Sequence, residues 1–314
     1  MRIVGIDVSK HKVDAAIVSA SAHMSFENNE QDRQELLAWL ERHEVGKAVM
    51  EATGGYERSW AKMLQGAGID VRIVDPRRVR SYAHAAGQHA KTDRLDAEMI
   101  ALFGEAFAEA TGQPHDAESA AMDQLVSGRR RLKLLGQQLE NWQEHDLPPE
   151  IQHIYQELGE LLESRLKDLD TAIAQRIETD ERLAKRAEII ESMPGLGPGS
   201  AAGLIAWLPE LGLVDNKAIA ALVGVAPYAN QSGSHDGPRS IRGGRGKLRN
   251  LLYLPVVGAA TRNNPVLKAH YDQLIARGKE PKVALIACMR KLIVILNTMI
   301  ARGEKWQPEK HQQP

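Results

Sequence analysis

The segment RIVGIDVSKHKVDAAIVSA, residues 2–20, decides the fold of the first part of the chain. Its two halves, Arg2–Val8 and Lys12–Ala20, are apolar runs rich in β-branched residues, and a short polar turn separates them. Such runs are typical of strands, and the short turn between them predicts a β-hairpin. Asp7 lies at the end of the first strand, so its carboxylate is expected where this buried strand reaches the edge of the sheet.

Alternating strand and helix signals follow this hairpin. The sequence predicts further strands at His23–Glu27, Gly46–Glu51 and Val71–Asp75. It predicts helices over Gln31–His43, through Trp60 and Leu64, and from Thr92 to about Ala110, with Thr92 as an N-cap. The order hairpin, strand, helix, strand, helix, strand, helix predicts an α/β domain of the ribonuclease-H type over residues 1–115.

The rest of the chain has a helical pattern. Leucine and isoleucine recur every three or four positions over residues 116–188, which predicts an antiparallel helical hairpin or coiled coil used for spacing or dimerisation. We expect residues 189–306 to form a third, mainly helical domain, followed by a tail at 307–314. The third domain opens with Pro194-Gly195-Leu196-Gly197, which resembles a helix–hairpin–helix turn. Such a turn can hold a DNA phosphate at a helix start, and it can equally be a simple tight bend.

The composition is that of a globular protein, since 43% of the 314 residues are hydrophobic and 26% are charged. The single cysteine, Cys288, excludes an internal disulfide and a Cys-rich zinc site, and it suits a reducing cytosol. The N-terminus lacks the apolar run of a signal peptide. Arg290 and Lys291 interrupt the longest apolar stretch, so we expect no membrane span and a cytoplasmic, bacterial location.

The net charge of −1 hides two basic clusters. The first cluster contains Arg239, Arg242, Arg245, Lys247 and Arg249, with no acid among them. The second contains Arg77, Arg78 and Arg80, which follow a predicted strand together with Arg72. Clustered cations on a neutral chain indicate contacts with nucleic-acid phosphates, and a solvated face explains the same pattern equally well.

Four carboxylates are predicted at one edge of the sheet. Asp7 and Glu51 each end a strand, and Asp93 and Asp96 lie three residues apart on one helix face. Acids in such proximity repel unless cations neutralise them, and hard oxygen ligands suit Mg²⁺, with Mn²⁺ as an alternative. Two such ions can activate a nucleophile and stabilise the leaving oxygen of a phosphodiester. Taken singly, Asp93 and Asp96 are also explained by the helix dipole.

Ser232 is the second candidate for chemistry. It lies in a glycine- and cation-rich loop, PYANQSGSHDGPRSIRGGRGKLRNLLY, that leads into a helix. Its hydroxyl is a nucleophile once its proton is withdrawn, and nearby arginines can hold a phosphate. Ser234 and Ser240 have the same chemistry, and serines in such loops commonly form turns. The chain lacks the signatures of a P-loop, a zinc protease and a lipase. Without a motif for nucleotide hydrolysis, DNA rearrangement must conserve the energy of the phosphodiester bond. A phosphoserine ester would do so.

The chain resembles the IS110 family of insertion-sequence transposases, which are DEDD recombinases guided by a bridge RNA. The resemblance rests on GIDVSKHKVDAAI (5–17), MEATGGYE (50–57), VDPRRVRSYA (74–83), AKTDRLDAEMIA (90–101), SMPGLGPGSA (192–201), GVAPYANQSGSHDGPRSIRGGRGKLRNLLY (224–253) and LNTMIARGEKW (296–306). It covers nearly the whole chain and is weakest in the helical middle.

The resemblance implies a RuvC-like N-terminal domain, a coiled coil and a C-terminal transposase domain. It implies that Asp7, Glu51, Asp93 and Asp96 are the metal-binding DEDD set, and that Ser232 is the nucleophile that links to DNA. It further implies homodimers that pair into tetramers, donor and target DNA as substrates, and a structured guide RNA as partner. Three other functions stay open: a site-specific DNA invertase of the same architecture, a junction nuclease that uses water, and a non-enzymatic DNA-bridging protein.

Overall fold

The computed structural model describes residues 2–88, 90, 92–107, 117–232 and 235–311. The chain divides into two compact units, Met1–Ala117 and Glu118–Pro314. The predicted coiled coil and the predicted C-terminal domain therefore belong to the same compact unit.

The first unit is built around a five-stranded mixed sheet. Its strands are β1 (Arg2–Val8), β2 (Lys12–Ile17), β3 (Ala22–Glu27), β4 (Val45–Glu51) and β5 (Asp70–Val74). They are arranged in the order β3-β2-β1-β4-β5. The pairs β1–β2 and β2–β3 are antiparallel, whereas β1–β4 and β4–β5 are parallel. The predicted hairpin is confirmed, although its second strand ends at Ile17 because Val18–Ala20 form a turn of 3-10 helix.

Four α-helices accompany this sheet among the described residues of the unit. They are α1 (Glu30–Arg42), α2 (Glu57–Gly66), α3 (Pro76–Ala85) and α4 (Asp93–Ala106). The sequence interpretation missed α3, although Asp75 caps it by accepting the backbone N–H of Arg77 at 2.9 Å and Pro76 opens its first turn. The predicted cap of α4 is confirmed, since Thr92 Oγ1 accepts the N–H of Leu95 at 3.3 Å. Helix α4 ends at Ala106, earlier than predicted, and residues 108–116 lie outside the described part of the chain.

Helix α4 lies directly against β1 because Gly5 has no side chain. Val4, Ile6 and Val8 project into the core formed with α1 and α2. Side chains alternate along a strand, so Gly5 faces the opposite side, where α4 packs. A Cβ atom on Gly5 would lie 2.1 Å from the carbonyl oxygen of Ala97, which leaves no room for any other residue.

The second unit is mainly helical. Its helices are α5 (Ala117–Gln143), α6 (Pro149–Thr179), α7 (Glu181–Glu191), α8 (Pro198–Trp207), α9 (Asn216–Val223), α10 (Gly246–Gly258), α11 (Pro265–Ala276) and α12 (Pro281–Arg302). A π-helical turn, Ala259–Asn263, follows α10, and a 3-10 turn, Pro308–His311, follows α12. The sequence also predicts helices over Leu248–Ala260 and Pro281–Ile300, which α10 and α12 confirm, whereas α9 and α11 were not predicted.

Residues 227–232 and 235–241, which the sequence predicts to be part of a loop, form a two-stranded antiparallel ribbon instead. Its strands are β6 (Pro227–Ser232) and β7 (His235–Ile241). The many glycines and serines concealed the strand signal, because these residues are weak strand formers and the ribbon is defined by the pairing of its two strands.

Helices α5 and α6 form the predicted antiparallel hairpin. The Trp142 and Tyr155 rings lie 5.8 Å apart near the connection, and Arg129 pairs with Asp170 further along. Between these two contacts, Leu139 packs toward Gly159. Residue numbers that rise on one helix while they fall on the other show that the two helices run in opposite directions.

The turn between α7 and α8 occupies the predicted helix–hairpin–helix position. Gly195 adopts φ +102°, and a Cβ there would lie 2.7 Å from Cβ of Ala259. The glycine therefore serves both a left-handed backbone conformation and close packing against the end of α10.

Helix α12 is long and apolar enough to cross a membrane when judged by length and composition alone. However, 56% of its most apolar stretch is buried inside the second unit, where Leu292 and Leu296 are fully buried. It is packed as a core helix of that unit.

Candidate active site

Asp7 is the penultimate residue of β1, and Glu51 is the last residue of the neighbouring strand β4. Strands β1 and β4 are parallel, with Ile6 opposite Met50, so the next residue of each strand is one of the two acids. Both acids are half-buried. The parallel pairing therefore places both residues at the carboxyl edge of the sheet, as predicted.

The start of α4 lies at the same edge. Ala97 and Ala101 lie over Gly5, while Asp93, one turn before Ala97, contacts Lys12 at the start of β2. Because β2 begins beside the end of β1, α4 runs antiparallel to β1 with its first turn over the carboxyl edge. Asp96 is half-buried in that turn, and the side chain of Asp93 is 63% exposed.

The edge contains a fifth carboxylate, Asp14, which the sequence interpretation missed. Asp14 is opposite Asp7 on β1 and opposite Ser25 on β3. Residues directly opposite one another in antiparallel strands project from the same face of the sheet. The signal was present in the sequence, because Asp14 interrupts the apolar run KVDAAI of a buried strand.

Three side chains of β2 and β3 lie close to the carboxylate of Asp14. Its own side chain is 5% exposed and accepts a hydrogen bond of 2.6 Å from Ser25 Oγ. Lys12 Nζ lies 3.0 Å from its Oδ2, and His23 Nε2 lies 3.3 Å from its Oδ1. The His23 contact lacks hydrogen-bond geometry, so we regard Ser25 and Lys12 as the partners that satisfy the buried charge.

Lys12 connects this buried acid to the first turn of α4. Its ammonium lies 3.2 Å from Oδ2 of Asp93 as well as 3.0 Å from Asp14. Hydrogen bonds to Asp14 and then to Asp93 raise the pKa of Lys12 above its usual value. A lysine cation therefore lies at the acidic edge.

The acids fit a divalent metal by chemistry, because carboxylate oxygens are the ligands that Mg²⁺ and Mn²⁺ prefer. Their arrangement is less complete: within the residues described, no group of three or more His, Cys, Asp or Glu side chains could hold a metal ion. Asp93 is turned to Lys12 instead. Binding of a metal by the predicted set requires local rearrangement of at least this side chain.

Ser232 lies in the second unit, at the end of β6 and opposite His235 on β7. It is therefore the last residue of β6. Ser234 lies outside the described residues, and Ser240 is an exposed residue of β7 opposite Tyr228.

The first basic cluster divides into two parts, of which one is exposed. Arg239 and Arg242 are exposed on or next to the ribbon. The guanidinium of Arg242 lies 5.4 Å from the centre of the Tyr228 ring, and Tyr228 is itself exposed. A guanidinium over an aromatic ring forms a cation–π contact and leaves polar N–H groups available for other partners.

The other three basic residues of this cluster bind within the second unit. Arg245 pairs with Glu210, at 2.7 Å from Nη1 to Oε2, and also donates to the carbonyl of Trp207. Lys247 Nζ lies 3.1 Å from Asp123. Arg249 donates to the carbonyl oxygen of Gly243 at 2.7 Å. These contacts join α10 to its surroundings.

The three arginines of the second basic cluster are all exposed, and two of them also make contacts within the first unit. Arg77 pairs with Asp75, which lowers the pKa of that carboxyl, and Arg78 lies 5.3 Å from the centre of the Phe103 ring. Arg80 is exposed on α3. Helix α3 therefore uses two of its arginines for contacts within the first unit.

Comparison with known proteins identifies the class to which the chain belongs. Residues 4–141 match a family model described as a transposase, and residues 187–272 match a second model described as the IS116/IS110/IS902 family of transposases. The protein is thus of the class of DNA-processing transposases and recombinases. Within that class, the chain belongs to the IS110 family.

The chain is similar to two groups of relatives. A pilin gene-inverting protein of Moraxella bovis is 26% identical over 320 residues, which cover 98% of each chain. The homologous protein of Moraxella lacunata has the same identity and coverage. A protein of insertion element IS116 from Streptomyces clavuligerus is 34% identical over 150 residues, which cover 47% of this chain and 36% of the relative.

Proposed function

We propose that this protein is the DNA recombinase of an insertion sequence and acts through a covalent phosphoserine–DNA intermediate. The observation that carries the proposal is the placement of Asp7, Glu51, Asp93 and Asp96 at one sheet edge in a chain of a transposase family. We further propose that the first unit is RuvC-like, which its mixed sheet and its antiparallel β1–β2–β3 meander support.

In this proposal the four carboxylates hold Mg²⁺, or Mn²⁺ in its place. The ion supplies positive charge against the phosphate oxygens of DNA when it is bound. The chain's own part is to gather the acids: the parallel pairing of β1 with β4 sets Asp7 beside Glu51, and Gly5 lets α4 bring Asp93 and Asp96 over them.

Ser232 is the proposed nucleophile. Its Oγ forms a bond to the phosphorus of the DNA backbone while the bond from phosphorus to a sugar oxygen breaks. The hydroxyl loses its proton, and the departing sugar oxygen takes one up. The number of phosphoester bonds is unchanged, so strand exchange needs no nucleotide hydrolysis. The exposed Arg239 on the same ribbon and the exposed Arg242 directly after it are suited to bind the phosphate.

Self-association is part of the proposal, and the helical hairpin offers a surface for it. Large apolar side chains are exposed on α5 and α6, namely Leu134, Leu135, Trp142, Ile151, Ile154, Leu158 and Leu161. Those on α6 recur at intervals of three and four residues, as in a coiled-coil seam. We propose that this stripe pairs with a second copy in dimers that assemble into tetramers.

We also propose that a structured guide RNA selects donor and target DNA, and that the protein acts in the bacterial cytoplasm. With sequence choice delegated to base pairing, the exposed arginines need to contact only the nucleic-acid backbone. RNA that co-purifies with the protein as a discrete species would test this part directly.

Trapping of covalent protein–DNA adducts tests the proposed chemistry. Ser232→Ala should abolish the adduct and recombination, whereas Ser240→Ala, the matched change on the partner strand, should leave both intact. Asp7→Asn should reduce adduct formation by at least about 100-fold, since it removes a charged ligand. Normal recombination by Ser232→Ala would refute the assignment of Ser232 as the nucleophile. Cleavage without an adduct by that variant would instead indicate a nuclease that uses water.

A site-specific DNA invertase is the second candidate function. It is favoured by the similarity to the pilin gene-inverting proteins, which extends over 98% of each chain. The two candidates share the proposed adduct and differ in their products. Sequencing the products in cells that carry a marked donor distinguishes insertion at new targets from inversion of a fixed segment.

A further inference from the structure

The ammonium of Lys12 lies between two carboxylates of the acidic edge, Asp14 and Asp93. We propose that Lys12 is an internal counter-cation of this edge, anchored on Asp14, which holds Asp93 until a divalent metal ion replaces it. This inference rests on the proposed function, because it assumes that Asp93 is one of the metal ligands.

The anchor of Lys12 is a fixed acid. Asp14 lies on the inner strand β2, with a side chain only 5% exposed and a hydrogen bond of 2.6 Å from Ser25. A buried carboxylate needs a positive or hydrogen-bonding partner, which gives the ammonium of Lys12 a defined position at 3.0 Å. The lysine is thus held at the edge by a contact that does not involve the predicted DEDD set.

The other contact of Lys12 is accessible and weak. The side chains of Lys12 and Asp93 are 47% and 63% exposed, and their 3.2 Å ion pair is of the surface kind. Exposed pairs contribute little free energy because water screens them. A divalent ion that also binds neighbouring carboxylates can therefore displace the ammonium from Asp93, while Lys12 stays paired with Asp14.

Replacement of Lys12 by a divalent ion at Asp93 explains two observations together. The acids share one edge, yet no described group of three or more ligands could hold a metal. Asp93, one acid of the predicted set, is paired with a lysine from the neighbouring strand β2. Lys12 acts as a positioning residue: it holds the side chain of Asp93 before the metal binds, and it competes with the metal for Asp93.

Binding of Mn²⁺ to the full-length protein, measured by electron paramagnetic resonance at fixed ionic strength, tests the inference. Lys12→Met should bind Mn²⁺ about fivefold more tightly than wild type, because a competing cation is removed. Lys12→Arg, which keeps the charge, should bind like wild type. Lys10→Met is the matched control, since it removes the same charge from an exposed position two residues away, and its affinity should change by less than about twofold.

A double variant separates the two effects of removing Lys12. Lys12→Met also frees Asp14, which could itself bind the metal. Combined with Asp14→Asn, the tighter binding should persist if competition by Lys12 is its cause. Circular dichroism and thermal unfolding of each variant check that the fold is unchanged.

The outcomes separate the inference from the proposed function. An affinity of Lys12→Met equal to or below that of wild type overturns the inference alone, as does an equal gain in Lys10→Met or loss of the gain in the double variant. If neither wild type nor Lys12→Met binds Mn²⁺, the proposed metal site fails and the inference fails with it.

Discussion

Gly5 is the residue on which the geometry of the acidic edge depends. It allows the backbone of α4 to lie directly on β1, where a Cβ would come within 2.1 Å of one backbone atom of α4 and 2.3 Å of another. Both atoms belong to the helix backbone, so the helix itself would have to move. Asp93 and Asp96 would move with it.

Gly5→Ala should therefore destabilise the first unit by about 3 kcal/mol, at the upper end of the cost of overpacking. Urea unfolding monitored by circular dichroism measures this change. Gly66→Ala is the control, because Gly66 ends α2 and a Cβ added there would meet no atom within 4 Å, so alanine should be neutral or stabilising by up to about 1 kcal/mol. Equal stability of the two variants would contradict the close approach.

Cys288 should be inert in the folded protein. It is fully buried, its Sγ donates to the carbonyl of Leu267 at 3.7 Å, and burial raises the pKa of the thiol to about 11. A thiol-disulfide reagent such as dithionitrobenzoate at pH 8 should leave native protein unmodified and modify one thiol per chain after unfolding. Rapid modification of the native protein would show that the second unit opens at this position.

Stability should also depend on the ionisation of this thiol. The folded-state pKa, about 11, is above the ordinary value of 9.0, so the folded state retains the proton longer. The stability contributed by the neutral buried thiol is complete below pH 9.0 and is lost as the pH rises toward 11. The difference in unfolding free energy between wild type and Cys288→Ala should therefore be smaller at pH 10.5 than at pH 8. An unchanged difference would contradict the raised pKa.

At the scale of elements, the ribbon and α10 share one basic segment but use its charges differently. Arg239 and Arg242 belong to the ribbon side and are exposed, whereas Arg245, at the start of α10, is engaged with Glu210 and the carbonyl of Trp207. A continuous run of cations in sequence is thus divided into a surface part and a structural part.

Arg245→Ala and Arg242→Ala should separate these parts. Arg245→Ala should destabilise the second unit by about 1–3 kcal/mol, because it leaves Glu210 and a carbonyl without this donor. Arg242→Ala should change stability by less than about 0.5 kcal/mol and weaken DNA binding alike for all target sequences. Chemical unfolding and filter binding measure the two effects. A change of target preference in Arg242→Ala would argue against a backbone contact.

At the scale of the whole molecule, the chain has separate hydrophobic cores. Those of the first unit use residues between Val4 and Phe103, and that of the second unit uses residues between Met122 and Met299. Because each unit buries its own apolar side chains, each has its own source of stability.

Calorimetry should therefore show two unfolding transitions. Gly5→Ala should lower the midpoint of one of them, and Arg245→Ala should lower the midpoint of the other. The pair of variants serves as a reciprocal control. A single transition shifted by both substitutions would show that the two units unfold together.

Local patterns in the sequence were enough to predict much of this protein. Apolar runs rich in β-branched residues predicted the hairpin, Thr92 predicted the start of α4, and three-and-four spacing predicted the helical hairpin, because each signal depends on neighbours a few residues away. The motif residues Asp7, Glu51, Asp93 and Asp96 were also predicted at one edge, since the carboxyl ends of adjacent parallel strands meet there. The metal ligands, the Ser232 nucleophile and the guide RNA stay predictions.

Tertiary structure alone decided which charges face one another. Asp14 joined the acidic edge because β1, β2 and β3 pair in one register, and Lys12 reached Asp93 because Gly5 lets α4 cross the sheet at that point. The division of the basic segment, and the ribbon that presents its exposed part, likewise depended on pairing between distant residues. An ion pair or a strand pairing is set by distances between segments, and these distances are fixed only when the chain packs.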